Sequence, residues 1–294
     1  MWKPVCVRDF FSAQNRPIGL ISLGVLLLSS GLPAAQSDPA VSLNNLAELQ
    51  RQQGRYAEAR SLLERALALL EARPEPAGPD TAAVLHNLGE IHRLYGQYSA
   101  AQRCLARALA IKEARFGPLH PQVARSLNTR ARIRQEAGDR PAAEADYLRA
   151  LAIWDRVAPR FAAQRAAALT NLGHLYELDQ RAAEAEALHY RALTAAPEGA
   201  TQAAVLHNLA RLYSTAGRRA EAEALFRRSL ELREHALGRD HPVLAPLLAD
   251  YAALLRHTGR KREARRLEQR ARLLATGHAR ENLLGLTVDV RALR

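Results

Sequence analysis

The chain has 294 residues, a formal net charge of +12 and 48% hydrophobic residues, enough apolar material for one large domain or an extended repeat array. This composition excludes a disordered chain. The two cysteines, Cys6 and Cys104, exclude a disulfide-stapled scaffold and a cysteine-rich zinc module. Arginine carries nearly all the positive charge, because lysine occurs only at Lys3, Lys112 and Lys261.

The first 35 residues have the order of an export signal. Basic residues, among them Lys3 and Arg16, precede an uncharged apolar run over residues 18–32, and two alanines follow it. This run is shorter than the roughly 20 residues that span a bilayer as a helix. We therefore expect residues 1–35 to be a signal peptide and the mature chain to be periplasmic. The alternatives are an inner-membrane anchor at residues 18–32 with the chain facing the periplasm, and a buried helix of a cytoplasmic protein.

A 42-residue repeat organises the sequence after residue 40. Glycines recur at intervals of 42 residues at Gly54, Gly96 and Gly138, and again between Gly217 and Gly259. The wider gap holds one repeat in which Gln180 replaces the glycine. A period of this length is typical of a solenoid. The predicted units are approximately residues 41–80, 81–124, 125–165, 166–201, 202–244 and 245–275.

Each unit contains two amphipathic helices. In the second unit, Leu85, Leu88 and Gly89 share one helix face, and Gly96 ends that helix because glycine tolerates the left-handed conformation. A second helix follows with apolar residues at the same spacing. Small residues recur where the two helices face each other, at Gly89 for example, which predicts a close approach of their backbones.

The repeated pattern of Leu-Gly/Ala, Tyr, Gly, Ala, an aromatic residue or Leu, then Ala resembles the tetratricopeptide repeat. The stretch from Leu206 to Ala245 is similar to the 42-residue subtype of kinesin light chains and many bacterial proteins. The resemblance covers residues 41–275 and implies an all-α fold, a right-handed α-solenoid of six helix-turn-helix repeats. Residues 276–294 would then form a C-terminal cap or tail. The resemblance also implies that the concave groove binds a peptide or helix of a protein partner.

Two repeats depart from the pattern. In the third, Arg130 and Arg134 occupy positions that are mostly apolar elsewhere. In the fourth, the linker is shorter and His189 replaces a large apolar residue. These departures predict local softness near the middle of the array.

Polar residues opposite the apolar stripe of each first helix are the candidate groove residues. Asparagine recurs there although it is a mediocre helix former, and its carboxamide can donate to and accept from a peptide backbone at once. The alternatives are a harmless residue copied by duplication and a hydrogen bond within the array. Five basic and five acidic side chains share this face, so no basic groove is expected. The candidate peptide-binding residues are Asn45, Asn87, Asn171, Asn208, His86, His207, Arg51, Arg93 and Arg211.

The positive charge concentrates at the C-terminal end. Residues 255–294 contain eleven basic and four acidic side chains, and the stretch after Gly259 has the pattern of a basic amphipathic helix. One interpretation is a terminal helix with a solvated outer face, and the other is a contact with anionic lipid or an acidic partner. We expect this helix to end near Thr276. An apolar tail from Glu281 would then cap the array or dock as its own ligand.

The sequence carries no motif of catalysis, metal binding, cofactor binding or nucleic-acid binding. It lacks phosphate-binding and nucleotide-binding glycine loops and the nucleophile elbow, and its histidines lack the zinc-binding spacing. We therefore expect no enzyme activity, no cofactor, no metal and no nucleic-acid partner. The predicted function is a non-catalytic scaffold that binds a peptide or helix of a partner protein. The alternative is a membrane-peripheral structural protein that uses its basic C-terminal region.

Overall fold

The computed structural model describes residues 38–75, 77–157 and 160–284, and these residues form twelve α-helices and no strands. In chain order the helices are α1 (Pro39–Gln52), α2 (Tyr56–Glu71), α3 (Pro79–Leu94), α4 (Tyr98–Phe116), α5 (Pro121–Glu136), α6 (Arg140–Arg156), α7 (Ala162–Leu178), α8 (Ala182–Ala195), α9 (Ala200–Thr215), α10 (Arg219–Leu237), α11 (Leu244–His257) and α12 (Lys261–Leu284). The predicted all-α fold of six helix-turn-helix pairs is confirmed.

The pairs stack in sequence order. Each odd-numbered helix packs most extensively on the even-numbered helix that follows it, and each even-numbered helix contacts the next odd-numbered one. Odd-numbered helices also contact the odd-numbered helices of neighbouring pairs. The backbones of even-numbered helices of neighbouring pairs stay farther apart within the described residues, and only long side chains bridge them, as Arg107 of α4 does to Glu71 of α2 at 2.7 Å. The stack therefore curves, with the first helix of each pair on its inner face.

The core runs along the stack and is built from equivalent residues of successive pairs. Leu63, Leu105, Tyr147 and Phe226 occupy the same position in four second helices, and all four side chains are fully buried. Burial of one such side chain stabilises the folded state by about 2 kcal/mol. In these four pairs the repeat therefore specifies its fold by placing one large apolar side chain between the two helices.

The turn inside each pair requires a left-handed residue. Gly96 has a φ of 68°, and the backbone N–H of the next residue donates to the carbonyl of His92 at 2.9 Å, which satisfies the end of α3. Gln180 adopts the same conformation at the end of α7, with a φ of 61°. A side chain in this region costs about 1–2 kcal/mol. The fourth pair thus forms the same turn as the other pairs, but with backbone strain that a glycine at this position would avoid.

The small residues between paired helices mark close contacts, as predicted. A Cβ atom on Gly89 would lie 2.0 Å from Cδ2 of Leu105, so even alanine would require Leu105 to move. In the fourth pair, the ring of His189 lies over Gly173 and is fully buried. Its Nε2 atom is 2.8 Å from Oε1 of Glu177. The polar replacement is therefore accommodated by a glycine beneath it and a carboxylate beside it.

The charged departures of the third pair compensate each other. Arg130 makes two hydrogen bonds of 2.7 Å to the carboxylate of Asp146, and Arg134 makes a third of 2.8 Å. Asp146 is only 4% exposed and lies on α6, at a position that other repeats fill with an apolar residue. Arg130 and Arg134 therefore have an ion-pair partner, because the facing helix α6 supplies the buried acid Asp146.

The last helix is longer than the sequence predicts. We expected it to end near Thr276, whereas α12 continues to Leu284. The reason is that one glycine inside a helix costs only about 1 kcal/mol relative to alanine, and residues 278–284 contain good helix formers on its C-terminal side. Gly277 is thus an interior residue. The remainder of the predicted tail, residues 285–294, lies outside the described residues.

The N-terminal predictions also fall outside the described part of the chain. The signal peptide or anchor was assigned to residues 1–35, and the description begins at Asp38. Among the helices between residues 38 and 284, none is long and apolar enough to cross a membrane. Location therefore stays a prediction from the sequence.

Candidate functional site

The first helices bring most of the predicted groove residues together around two cavities on the inner face. The first cavity has a volume of about 500 Å³ and lies across the first three pairs. It contains four of the nine predicted residues, Asn45, Arg51, His86 and Asn87. Its full lining is Asn44, Asn45, Glu48, Arg51, His86, Asn87, Glu90, Arg125, Asn128, Thr129 and Arg132.

The second cavity has a volume of about 310 Å³ and lies across the third to fifth pairs. It contains three further predicted residues, Asn171, Asn208 and Arg211. Its full lining is Arg132, Gln135, Glu136, Tyr147, Thr170, Asn171, His174, Asn208 and Arg211. Arg132 lines both cavities, so they adjoin along the inner face.

At one repeat position, a hydrogen bond joins the first helices of some neighbouring pairs but not of others. Asn87 donates from Nδ2 to Oδ1 of Asn44 at 2.9 Å, and Asn171 donates in the same way to Asn128 at 3.2 Å. Nε2 of His207 lies 2.8 Å from Oδ2 of Asp250. In every case the two residues are 43 apart, because they occupy consecutive positions of the repeat in neighbouring pairs. We call these three junctions, between pairs 1/2, 3/4 and 5/6, closed.

The two remaining junctions lack this bond within the described residues and are called open. At the 2/3 junction the equivalent residues are His86 and Thr129, and the Nδ1 atom of His86 is buried without a hydrogen-bond partner. At the 4/5 junction they are Thr170 and Asn208, and the hydroxyl of Thr170 is likewise buried and unpartnered. The first cavity contains the 2/3 junction and the second contains the 4/5 junction. Each open junction therefore lies in a cavity, and the first cavity extends over the closed 1/2 junction as well.

The recurrent asparagines consequently fall into two groups. Asn87 and Asn171 each use one N–H to close a junction, so the predicted alternative of a bond within the array applies to them. Asn45 and Asn208 make no hydrogen bond within the described residues, and each lines a cavity. An asparagine side chain offers two donor hydrogens and one acceptor oxygen. The amides of Asn45 and Asn208 are therefore free to bind a ligand.

The charged groove residues mostly neutralise one another. Arg51 pairs with Glu48 at 2.6 Å, and Arg93 pairs with Glu136 of the next first helix at 3.0 Å. Arg211 lies 3.7 Å from Asp250. These pairs agree with the balanced charge count of the sequence. Arg93 and His207 lie outside both cavities, and each is paired with an acid of the next pair.

Burial lowers the pKa of two histidines on the inner face, His86 and His174. The pKa of His86 is lowered from 6.5 to about 3, first by burial and then by Lys112, Arg125 and Arg132. Burial also lowers the pKa of His174, whose Nδ1 lies 2.8 Å from Nε2 of Gln135. A neutral imidazole has one donor and one acceptor nitrogen, like a peptide group. These side chains can form hydrogen bonds without adding charge to the groove.

Arg125 and Lys112 are the important residues that the sequence analysis missed. Arg125 lines the first cavity, and Lys112 lines a neighbouring pocket. A signal existed for Lys112, because it stands where the first and third repeats have Leu70 and Trp154. A charged residue at an apolar repeat position is the kind of departure that marked Arg130. Within residues 38–284, no three histidine, cysteine or acidic side chains are grouped to hold a metal ion.

Comparison with family models identifies the repeat. Tetratricopeptide repeat models match residues 38–114, 101–156 and 202–243, which together are more than half of the chain. The chain belongs to the tetratricopeptide repeat family. No match was found among curated proteins.

Solved tetratricopeptide repeat structures share this fold. BtubC (BKLC) from P. vanneervenii is 25% identical, with a TM-score of 0.58 over 67% of this chain and 81% of that one. A putative kinesin light chain from Podosopora anserina is 24% identical, with a TM-score of 0.56 over 68% of this chain and 99% of that one. A Rap protein complexed with competence and sporulation factor is 16% identical, with a TM-score of 0.59 over 82% and 76% of the two chains. The kinesin-light-chain-like resemblance is thus confirmed.

Proposed function

We propose that this tetratricopeptide repeat protein is a non-catalytic scaffold that holds a peptide or a helix of a partner protein along the first helices. The observation that carries the proposal is the coincidence of open junctions, cavities and unbonded amides on one face. Asn208 and Thr170 at the second cavity, and Asn45 at the first, have polar groups without a hydrogen-bond partner in the described chain. Of these three residues only Thr170 is buried, and a buried polar group without a partner costs about 1–3 kcal/mol, which a bound backbone would offset by supplying the partner. The amides of half-buried Asn208 and exposed Asn45 can bind the same backbone.

The charge of the face supports a sequence-tolerant mode of binding. Except for Arg125, the arginines of this face pair with acids, so hydrogen bonds to a ligand backbone would contribute more than ion pairs over most of it. The Rap protein with this fold was solved with competence and sporulation factor bound, which supports ligand capture as a use of the fold. We infer the same class of role for this chain.

The test is site-specific photo-crosslinking in the native cell envelope. A photoreactive amino acid replaces Asn208 on the inner face. In a matched control it replaces Arg103, which is exposed on α4 and makes no ion pair within the described residues. The proposal predicts a discrete crosslinked partner from position 208 and none from position 103. Equal crosslinking from both positions would show that the inner face is not the binding surface.

A second candidate role, contact with an anionic membrane surface, is favoured by unpaired charge on α12. Arg256 and Arg260 are held by acids, whereas Lys261, Arg262, Arg265 and Arg266 are exposed and form no ion pair within the described residues. Each basic residue near such a surface contributes about 1 kcal/mol of attraction. Sedimentation with vesicles containing anionic lipid should fall when Arg265 and Arg266 are changed to Glu. Unchanged sedimentation would reject this role.

We also propose export, on the sequence of residues 1–35 alone. N-terminal sequencing of the protein from the cell envelope should then give a start near Ser37. An intact Met1 in a soluble cytoplasmic fraction would reject both the signal and the anchor.

A further inference from the structure

A pocket of about 380 Å³ lies beside the first cavity, at the open junction between the second and third pairs. It lies between the start of α3, the end of α4 and the start of α5. His86 and Asn87 line it from α3, Lys112 from α4 and Arg125 from α5. Two cationic side chains thus enter one pocket from two different helices.

Lys112 is a buried cation that lacks an acid. Its residue is 6% exposed, and Nζ donates one hydrogen bond, to Oγ of Ser126 at 2.8 Å. No carboxylate within the described chain lies at ion-pair distance from it. Burial, with a smaller contribution from Arg125, lowers the pKa of Lys112 to about 8, so most molecules carry the charge at neutral pH. Two of its three N–H donors remain unsatisfied by protein groups.

Arg125 and His86 complete the set of free donors. Arg125 is exposed and makes no hydrogen bond or ion pair within the described residues. His86 is 7% exposed, and its Nδ1 atom has no partner. Because this imidazole stays neutral above its lowered pKa, one of its ring nitrogens carries a hydrogen that it can donate.

The acids around the pocket leave its charge positive. Asp80 is the one carboxylate among its lining residues, and it is exposed without an ion pair in the described structure. Glu48 lies in the neighbouring cavity, where Arg51 already holds it at 2.6 Å. An isolated buried ammonium group destabilises a fold unless a counter-ion compensates it. The protein supplies none at Lys112.

We propose that this pocket binds an oxyanion, a carboxylate or a phosphate group, between the side chains of Lys112, Arg125 and His86. The ammonium and guanidinium groups would supply charge, and the imidazole a neutral donor. Charge-assisted hydrogen bonds of this kind are about twice as strong as neutral ones. The proposal does not rest on partner capture along the first helices, because a free anion would satisfy the same donors.

The chain offers a direct probe, since it has only three lysines. In protein labelled with ¹³C at lysine Cε, the Lys112 signal reports its ammonium group, and exposed Lys261 on α12 is the internal control. Titration with sodium phosphate and, separately, sodium acetate at constant ionic strength should shift the Lys112 signal saturably and raise its pKa. The Lys261 signal should not change. The anion that binds more tightly then identifies the preferred ligand chemistry.

Variants decide whether the pocket residues are responsible. Arg125→Gln should weaken anion binding about tenfold or more, because it removes one charged donor from an exposed position without disturbing the core. Lys112→Met should abolish the saturable response of the protein measured by calorimetry. The control is Arg103→Gln on α4, which should bind as the wild type does. No saturable shift of Lys112 with either anion, or equal affinity in Arg125→Gln, would overturn the proposal.

Discussion

The 2/3 and 5/6 junctions share the same short sequence on one first helix but differ in the residue that the next pair supplies. Both present Leu-His-Asn-Leu on the first helix, with His86 at one junction and His207 at the other. The next pair supplies Asp250 to His207 at 2.8 Å, whereas it supplies Thr129 to His86, and Nδ1 of His86 remains unpartnered. The repeat fold therefore accepts either arrangement. On the proposed function, the polar groups left without a partner at the 2/3 junction would be available to a ligand, whereas those paired at the 5/6 junction stabilise the stack.

The largest effect should come from breaking the buried cluster of Asp146, Arg130 and Arg134 in the third pair. Asp146→Ala leaves Arg130 and Arg134 partly buried without an acid, and we expect the free energy of unfolding to fall by about 3–5 kcal/mol. Chemical denaturation measures this loss. Asp155→Ala, which removes a more exposed ion pair with Arg165, should cost about 1 kcal/mol or less. Equal losses would mean that the buried cluster is not structural.

The acid sensitivity of His86 should be large too. Its pKa is about 3 in the folded state against 6.5 when unfolded, so below pH 6.5 the unfolded chain takes up a proton that the folded chain does not. Stability therefore falls as the pH drops from 6.5 towards 3, by about 1.4 kcal/mol per pH unit for this group. His86→Gln should remove that slope. His257→Gln, at an exposed histidine, should leave the pH dependence of denaturation unchanged.

Two substitutions exchange the residues that distinguish the 2/3 junction from the 5/6 junction. Asp250→Thr copies the open arrangement into the 5/6 junction and leaves His207 without its partner, so it should lower stability by about 1–2 kcal/mol. Thr129→Asp makes the reverse change at the 2/3 junction, where the acid would share the first cavity with Arg125 and Arg132. We expect Thr129→Asp to weaken anion binding while thermal unfolding shifts to a higher temperature. A lower unfolding temperature would contradict this account.

The smallest effect is expected from relieving the strained turn of the fourth pair, which lies next to the open 4/5 junction. Gln180 is the one non-glycine residue with a positive φ in the described chain, and the 4/5 junction next to it is open. Gln180→Gly should raise the free energy of unfolding by about 1 kcal/mol, because relief of strain exceeds the added freedom of the unfolded chain. Ligand binding should not change. Altered binding would show that the strained turn shapes the surface.

The sequence predicted the structural features that recur from one repeat to the next. The period of 42 located the turns, and the recurring small residues located the close contacts, including Gly89 against Leu105. It could not predict which polar groups pair across junctions, because Asn87 and Asn208 are the same residue at the same repeat position. Their difference arises from Asn44 and Thr170 on neighbouring helices, and thus from residues 38–43 positions away.

The ion pairs between the charged residues of the third repeat could not be predicted from the sequence for a related reason. Arg130 and Asp146 are 16 residues apart on two helices, and each alone looks like an error in the pattern. Burial of Lys112 was signalled only by the apolar residues at its repeat position, Leu70 and Trp154, and a long basic side chain at a helix end is usually solvated. The end of α12 was misplaced because Gly277 was taken as a stop signal, although the residues after it favour a helix.

The most direct test of the central claim compares the two kinds of asparagine. Once the crosslinked segment of the partner has been sequenced, a synthetic copy is titrated by calorimetry against Asn208→Ala and Asn171→Ala. The account predicts that Asn208→Ala weakens binding by about 1–2 kcal/mol without a change in stability, because its amide is free for the ligand. Asn171→Ala should instead lower stability, since its amide closes a junction. Unchanged affinity in Asn208→Ala would contradict binding at the open junctions.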